Sequence, residues 1–276
     1  MHTGIEMDEK TKKEFLAYAH QRKRYNDTVP GRFMETMKNN RGNAEGSCLI
    51  QKKNPVIAAL GDSVTAGHFE WINEKHMQRI WKGEETQKER ETIEITDVRV
   101  VYHEIFRQKL IDLYECTSVS VINAGIAGDT ITGMFQRLDR DVLRYQPDLV
   151  IFNGALNWSG ENGTMQEYER LLQELTERIQ KESSADLILV TPNMEDVSCF
   201  SRTSNLEEKV EIIYRTAEKY GTCVADVYGV WKEFVAMGHD LKSMLANGIN
   251  HPTAAGHEVY AIELMKLFQE AAALID

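Results

Sequence analysis

Ser63 is the residue of this chain best placed for covalent chemistry. The apolar run Val56-Ile57-Ala58-Ala59-Leu60 is long enough for a buried strand and ends in Gly61, with the serine two positions later. Open α/β sheets take their ligands at the carboxyl ends of the strands, and the Ser63 hydroxyl falls there. Such a serine becomes a nucleophile once a base and an oxyanion site are built around it. A structural alternative is open at this point. Gly61-Asp62-Ser63 also makes an ordinary strand-to-helix turn with Asp62 or Ser63 as the N-cap. Two phosphate-binding patterns fail on the letters. A P-loop needs a second glycine and then lysine where Ala66, Gly67 and His68 stand, and Asp62-Ser63 does not supply the Gly-x-Gly of a dinucleotide turn.

The rest of the chain must supply the elements that hold this serine. Ser118–Ile122, Leu149–Phe152, Leu187–Val190 and Cys223–Val227 read as four further strands. Between them apolar residues recur at helical spacing. Tyr102, Phe106, Leu110 and Leu113 form one such face, and Ile131, Met134, Leu138 and Val142 the next, capped by Asp129 or Thr130. Tyr168, Leu171, Leu172, Leu175 and Ile179 follow, then Leu206, Val210, Ile213, Ala217 and Tyr220. A helix near Trp231 and a last one with Val259, Ile262, Met265 and Phe268 complete the set. Five strands alternating with helices predict a parallel sheet covered on both faces, wound with right-handed crossovers.

Residues 1–50 read as an N-terminal extension, a solvated cap with a charge-rich helix from Lys10 to Tyr25 that Pro30-Gly31 breaks. Asn39-Asn40-Arg41-Gly42-Asn43 reads as a loop. The stretch His68 to Asp97 is rich in Glu, Lys and Trp and has no clean period. It is an insertion of about residues 68–99, either a lid over the site or plain surface, with Trp71 and Trp81 as pocket or core residues.

The length of 276 residues fits one large α/β domain with an extension. The balance of 32 basic against 43 acidic residues, a net charge of −11, argues against a nucleic-acid partner. No apolar run approaches the ~18–20 residues of a membrane span. The first twenty residues are charged and lack a secretory apolar region. Cys48, Cys116, Cys199 and Cys223 show no Cys-x-x-Cys spacing, so neither a zinc site nor a disulfide framework is indicated. The expected setting is the cytoplasm.

Four blocks in order at the strand ends resemble those of the SGNH (GDSL) hydrolase superfamily. They are Gly-Asp-Ser-Val-Thr-Ala-Gly at 61–67, Asn-Ala-Gly-Ile-Ala-Gly-Asp-Thr at 123–130, the segment 153–158, and Asn-His-Pro-Thr-Ala-Ala-Gly-His at 250–257. The resemblance covers roughly residues 54–276. It implies a three-layer α/β/α sandwich of flavodoxin-like topology and an ester hydrolase with a serine nucleophile, no metal and no cofactor. Carried onto this sequence, it implies Ser63 as nucleophile and His251 as the base. The backbone N–H groups of Ser63 and Gly128 and the side-chain amide of Asn157 would then hold the oxyanion. Asn153 is the substitute for Asn157, Asp62 and Trp158 are expected against the substrate, and His257 and Asp226 read as structural.

Two departures from the family pattern bear on catalysis. Trp158 stands where the third block usually has aspartate. In the last block Gly248 and Asn247 occupy the positions three and four before His251, where the triad aspartate is usual. Such an aspartate selects the imidazole tautomer and stabilises the imidazolium. An asparagine whose oxygen faces the ring can still orient it, so the expectation is a Ser63–His251 dyad aided by Asn247. The implied function is a serine esterase for a small acyl ester, an acetyl group on a carbohydrate being one candidate. The alternatives are a degenerate member that binds an acylated or carbohydrate ligand, and an acyltransferase.

Overall fold

A computed structural model describes residues 7–40, 54–71, 93–115, 118–196 and 205–268. Five strands, β1 (Val56–Gly61), β4 (Ser120–Gly125), β5 (Leu149–Asn153), β6 (Asp186–Val190) and β7 (Cys223–Ala225), form one sheet in the order β4-β1-β5-β6-β7. Every neighbouring pair is parallel, and the central register runs Gly61 opposite both Gly125 and Asn153. This is the flavodoxin-like order, with the topological switch point at the carboxyl end of β1. Ser63 lies just beyond it.

Period-two alternation sends the strand side chains into two cores. Ile57, Leu149, Ile151, Ile188 and Val190 face one side, and Ala58, Leu60, Val150, Phe152, Leu187 and Leu189 the other. The first core is roofed by α1 (Glu9–Gln21), α2 (Gly31–Asn39), α4 (Tyr102–Tyr114), α9 (Val227–Ala236) and α10 (Ala254–Lys266). The second is roofed by α5 (Ile131–Gln136), α6 (Leu138–Asp141), α7 (Met165–Glu182) and α8 (Leu206–Tyr220). The chain is therefore a three-layer α/β/α sandwich, as the alternation of patterns predicts. β1, β5, β6 and β7 are buried on both faces and read as continuous apolar runs, whereas the edge strand β4 keeps Ser120 and Asn123 exposed.

The N-terminal helix ends at Gln21 instead of Tyr25, Asn39 of the expected loop closes a second helix, and residues 41–43 of that loop lie outside the described residues. Pro30 does not end the helical region but precedes that second helix, α2, because a proline's missing N–H costs nothing at a helix start. Phe15, Ala19, Phe33, Met34 and Met37 all lie in the first core. Phe15 packs edge-on against Trp231 at 5.4 Å, and Arg22 bridges Asp226 at 2.7 Å and Glu233 at 3.1 Å.

Beyond the short helix α3 (Ser63–Ala66), β2 (His68–Trp71) pairs antiparallel with β3 (Ile93–Thr96) in a separate ribbon. Trp81 and the side chain of Trp71, read as pocket or core residues, lie outside the described residues. Among the described residues no helix is long and apolar enough to cross a membrane.

Candidate active site

The turn that presents Ser63 is shaped by its neighbours in sequence. Asp62 is extended, and its Oδ1 accepts from the Val64 N–H at 3.0 Å, so it is the N-cap of α3. The other side of α3 lies directly on the end of β4. A Cβ on Gly125 would fall 2.2 Å from the Ala66 backbone nitrogen, so only glycine allows this approach. Ser63 is 6 % exposed and its Oγ lies 2.8 Å from His251 Nε2. With Nε2 unprotonated the hydroxyl donates to the ring, the geometry of a nucleophile and its base.

His251, 4 % exposed, sits in a loop held almost entirely by amides. Leu245 and Pro252 form a β-bridge across its base, and Ala246 N–H donates to His251 C=O at 2.7 Å. Asn247 Oδ1 accepts from the N–H groups of Ile249, Asn250 and His251 at 3.0, 2.9 and 2.9 Å, while its Nδ2 donates to Asn250 Oδ1 at 3.0 Å. The expected contact between Asn247 and the imidazole is not made. The carboxamide is consumed by the loop backbone and positions His251 through its main chain, an Asx-type closure that spacing alone does not distinguish from a ring contact. Asn193, three residues beyond β6, adds a donor from Nδ2 to Asn250 C=O at 2.9 Å, and Asp196 N–H donates to Ile249 C=O at 2.7 Å. Neither residue stands out in the sequence.

Gly128 lies exposed in the turn after β4 with φ +74°, a left-handed conformation that favours glycine. Asn157 Nδ2 donates to the Asp129 carbonyl at 3.0 Å, so the asparagine of the third block meets the loop of the second. Asn153, the substitute, is fully buried at the end of β5. The sequence-expected substrate contacts at Asp62 and Trp158 are not exposed. Asp62 is fully buried, and burial pushes its carboxyl up to about 7 against the pull of the Val64 hydrogen bond. Trp158, 2 % exposed, packs 6.0 Å from the Tyr168 ring in the second core, and its carbonyl accepts from the buried Lys209 Nζ at 2.9 Å. An indole so enclosed is core, not pocket wall.

The remaining polar residues near the turn are structural. His257 lies in the first turn of α10, where its Nδ1 accepts from the Tyr102 N–H at 3.3 Å and burial holds the ring neutral, down at about 3. His103 Nε2 donates to the Thr65 carbonyl at 3.0 Å, and burial holds it at about 4. Asp226 caps α9 through the Gly229 N–H and accepts from Tyr214 and Thr191. Asp129 accepts from the Thr130 N–H at 2.9 Å and from Arg137 Nε at 2.7 Å. Sequence reading overlooked Arg137, an arginine inside an apolar helical pattern. Among the described residues no group of three or more His, Cys, Asp or Glu side chains could hold a metal ion.

A parallel sheet with a serine on its first strand-to-helix turn and a histidine closing on it from the last loop defines a class of hydrolases. The chain belongs to the GDSL-like lipase/acylhydrolase family, whose model matches residues 59–259. Solved structures share the fold. The lipase/acylhydrolase from Enterococcus faecalis is 22% identical with a TM-score of 0.57, covering 79% of this chain and 96% of that one. LAE5, an alpha/beta hydrolase from the Lake Arreo metagenome, is 23% identical with a TM-score of 0.56, covering 80% and 96%. Axe2, an acetylxylan esterase from Geobacillus stearothermophilus, is 20% identical with a TM-score of 0.57, covering 77% and 93%. Comparison with curated proteins returned no match.

Proposed function

We propose that the protein is a serine esterase that cleaves a small acyl ester through an acyl-Ser63 intermediate. The observation that carries this reading is the 2.8 Å contact between Ser63 Oγ and His251 Nε2 at the carboxyl end of the sheet. Ser63 Oγ attacks the ester carbonyl as His251 takes its proton. The imidazolium then protonates the departing alcohol, and the same ring activates the water that releases the acid. The Ser63 and Gly128 N–H groups and Asn157 Nδ2 stabilise the tetrahedral oxyanion, each donor contributing roughly 2.7–4 kcal/mol. The loop closed by Asn247 holds the His251 main chain in the position that brings its ring to Ser63.

An acetylated carbohydrate is the substrate class we favour. It rests on the family resemblance and on the fold shared with an acetylxylan esterase. The ribbon of β2 and β3 leaves directly from the nucleophile helix, which supports a role for the 68–99 insertion in shaping the pocket. The shared core of residues 7–40 supports reading residues 1–50 as a cap. The absence of Cys-x-x-Cys spacing in the sequence supports a cytoplasmic setting.

The test is the initial rate of p-nitrophenyl acetate hydrolysis by the wild type beside Ser63→Ala, with fluorophosphonate labelling in parallel. Saturable hydrolysis lost in the variant, together with labelling at Ser63, is expected. Equal background rates and an unlabelled Ser63 would shift the reading to a binding protein. Product partitioning to added sugar alcohols in preference to water would make it an acyltransferase.

A further inference from the structure

We infer that Arg137 is the positioning residue that assembles the oxyanion site, a role that rests on the esterase reading above. Arg137 sits at the break between α5 and α6 and is 7 % exposed. Its guanidinium makes contacts on all sides. Nη2 donates to the Gly61 carbonyl at 2.9 Å, Nη1 to the Ala124 carbonyl at 2.7 Å and to Asp141 Oδ2 at 3.0 Å, and Nε to Asp129 Oδ2 at 2.7 Å.

Each contact lands beside a different part of the site. Gly61 is two residues before Ser63, and its carbonyl also accepts from the Ile126 N–H at 3.1 Å. Ala124 is near the end of the strand that leads to Gly128. Asp129 directly follows Gly128, and its carbonyl accepts from Asn157 Nδ2 at 3.0 Å. A single planar cation therefore ties the nucleophile turn, the Gly128 loop and, through Asp129, the Asn157 amide. The carbonyls of Gly61 and Ala124 lie at the carboxyl ends of adjacent parallel strands, and a rigid fork of five N–H donors matches such divergent acceptors.

Charge adds a second effect. The Asp129 carboxylate stands next to the Gly128 N–H that is to stabilise a developing negative charge. Unpaired, it would repel that charge. Paired with Arg137 on Oδ2 and with the Thr130 N–H on Oδ1, it is neutralised and held in place. An ordinary exposed ion pair has no such reach; here the arginine is buried, and two of the four acceptors of its guanidinium are backbone carbonyls.

The test compares wild type, Ser63→Ala and Arg137→Lys. Lysine keeps the buried charge and the aliphatic stem but cannot span the two carbonyls and the two carboxylates. With the fold verified by thermal melting, Arg137→Lys should lower kcat for p-nitrophenyl acetate about 10²-fold, the size of losing one oxyanion donor. KM should change less than about threefold, and inhibition by a short alkylboronic acid, which forms a tetrahedral adduct on Ser63, should weaken in step with kcat/KM. A merely structural role would leave kcat per folded molecule and the boronate affinity unchanged, and that result overturns the inference. If Arg137→Lys does not fold, Asp129→Asn serves instead, since it keeps an acceptor for Thr130 but breaks the charge pair. Wild-type kcat in that variant also overturns the inference. The two readings separate cleanly. A wild type without Ser63-dependent turnover removes the esterase reading and this one with it, whereas an active wild type matched by Arg137→Lys removes this one alone.

Discussion

Asn247 reaches His251 at the backbone and not at the ring: its Oδ1 accepts from the His251 N–H at 2.9 Å, the last of three such bonds along the loop. The residue that stands in for the usual triad acid thus fixes where the histidine is. It does not select the tautomer directly. This changes what substitution there should do.

Asn247→Asp keeps the acceptor for the three N–H groups but turns the donor to Asn250 Oδ1 into a second acceptor. Turnover should not rise, and the loop should lose some order, because the new carboxylate oxygen faces another oxygen. Asn247→Ala removes the closure altogether and should lower kcat at least about tenfold, with about 1–3 kcal/mol lost from stability. Steady-state kinetics and urea melts on both variants check this. A faster Asn247→Asp enzyme would mean that the loop rearranges to bring the carboxylate to the ring.

Ser63 and His251 act as one unit in the proposed mechanism. Ser63→Ala and His251→Ala should each cost at least about 10³-fold in kcat, and the double variant should be no slower than either alone. Additive losses would show that the two side chains contribute separately.

Gly125 and Gly128 are glycines for different reasons, and alanine should separate them. At Gly128 a Cβ meets nothing within 4 Å, so Gly128→Ala bears only the strain of φ +74°, about 1–2 kcal/mol. It should fold, with kcat reduced as the loop relaxes and its N–H is re-aimed. Gly125→Ala drives a Cβ into the backbone of α3 and should either fail to fold or displace Ser63 enough to abolish phosphonate labelling. Expression, melting and labelling of the pair decide it.

Asp62 should give the protein a pH-dependent stability term of identifiable sign. Burial first, opposed by the Val64 hydrogen bond, raises its carboxyl from 3.8 to about 7. The folded state therefore keeps a proton that the unfolded chain releases. The contribution is full below about pH 4 and is lost as pH rises through about 7. The buried Glu263, raised to about 7, slopes the same way, while His103 and His257, lowered to about 4 and 3, slope oppositely and lose stability as pH falls below 6.5. These trends offset one another in wild type, so a single variant is needed. Asp62→Asn keeps the cap acceptor and should gain stability relative to wild type between pH 5 and pH 8, as read by urea midpoints at both values. A relative loss at pH 8 would contradict the buried, neutral Asp62.

The inner strands are legible because burial on both faces demands continuous apolar runs, and the helices because one face of each carries the core. Pro30 reads as a helix breaker in the sequence yet is the N-cap of α2, because a proline's meaning depends on whether a helix ends or begins there. Trp158 looked like a pocket residue because it stands at a block position next to Asn157. Its side chain points instead into the second core, which only the packing of α7 and α8 against the sheet reveals.

By itself the sequence determined the alternation of five sheet strands with helices and the serine at the carboxyl end of the first of them, but neither the β2–β3 ribbon nor α2. The alternation and the serine's position depend on periodicity and on local turns, which neighbouring residues encode. The partners of polar side chains were decided only by tertiary structure. Whether Asn247 holds a ring or a backbone, and whether Arg137 lies on a helix surface or across two strand ends, depends on which acceptor comes within hydrogen-bond distance. Those acceptors are separated from Arg137 by as many as 76 positions in the chain. Hydrogen bonds fall off over a fraction of an ångström, and spacing along the chain carries no information at that scale.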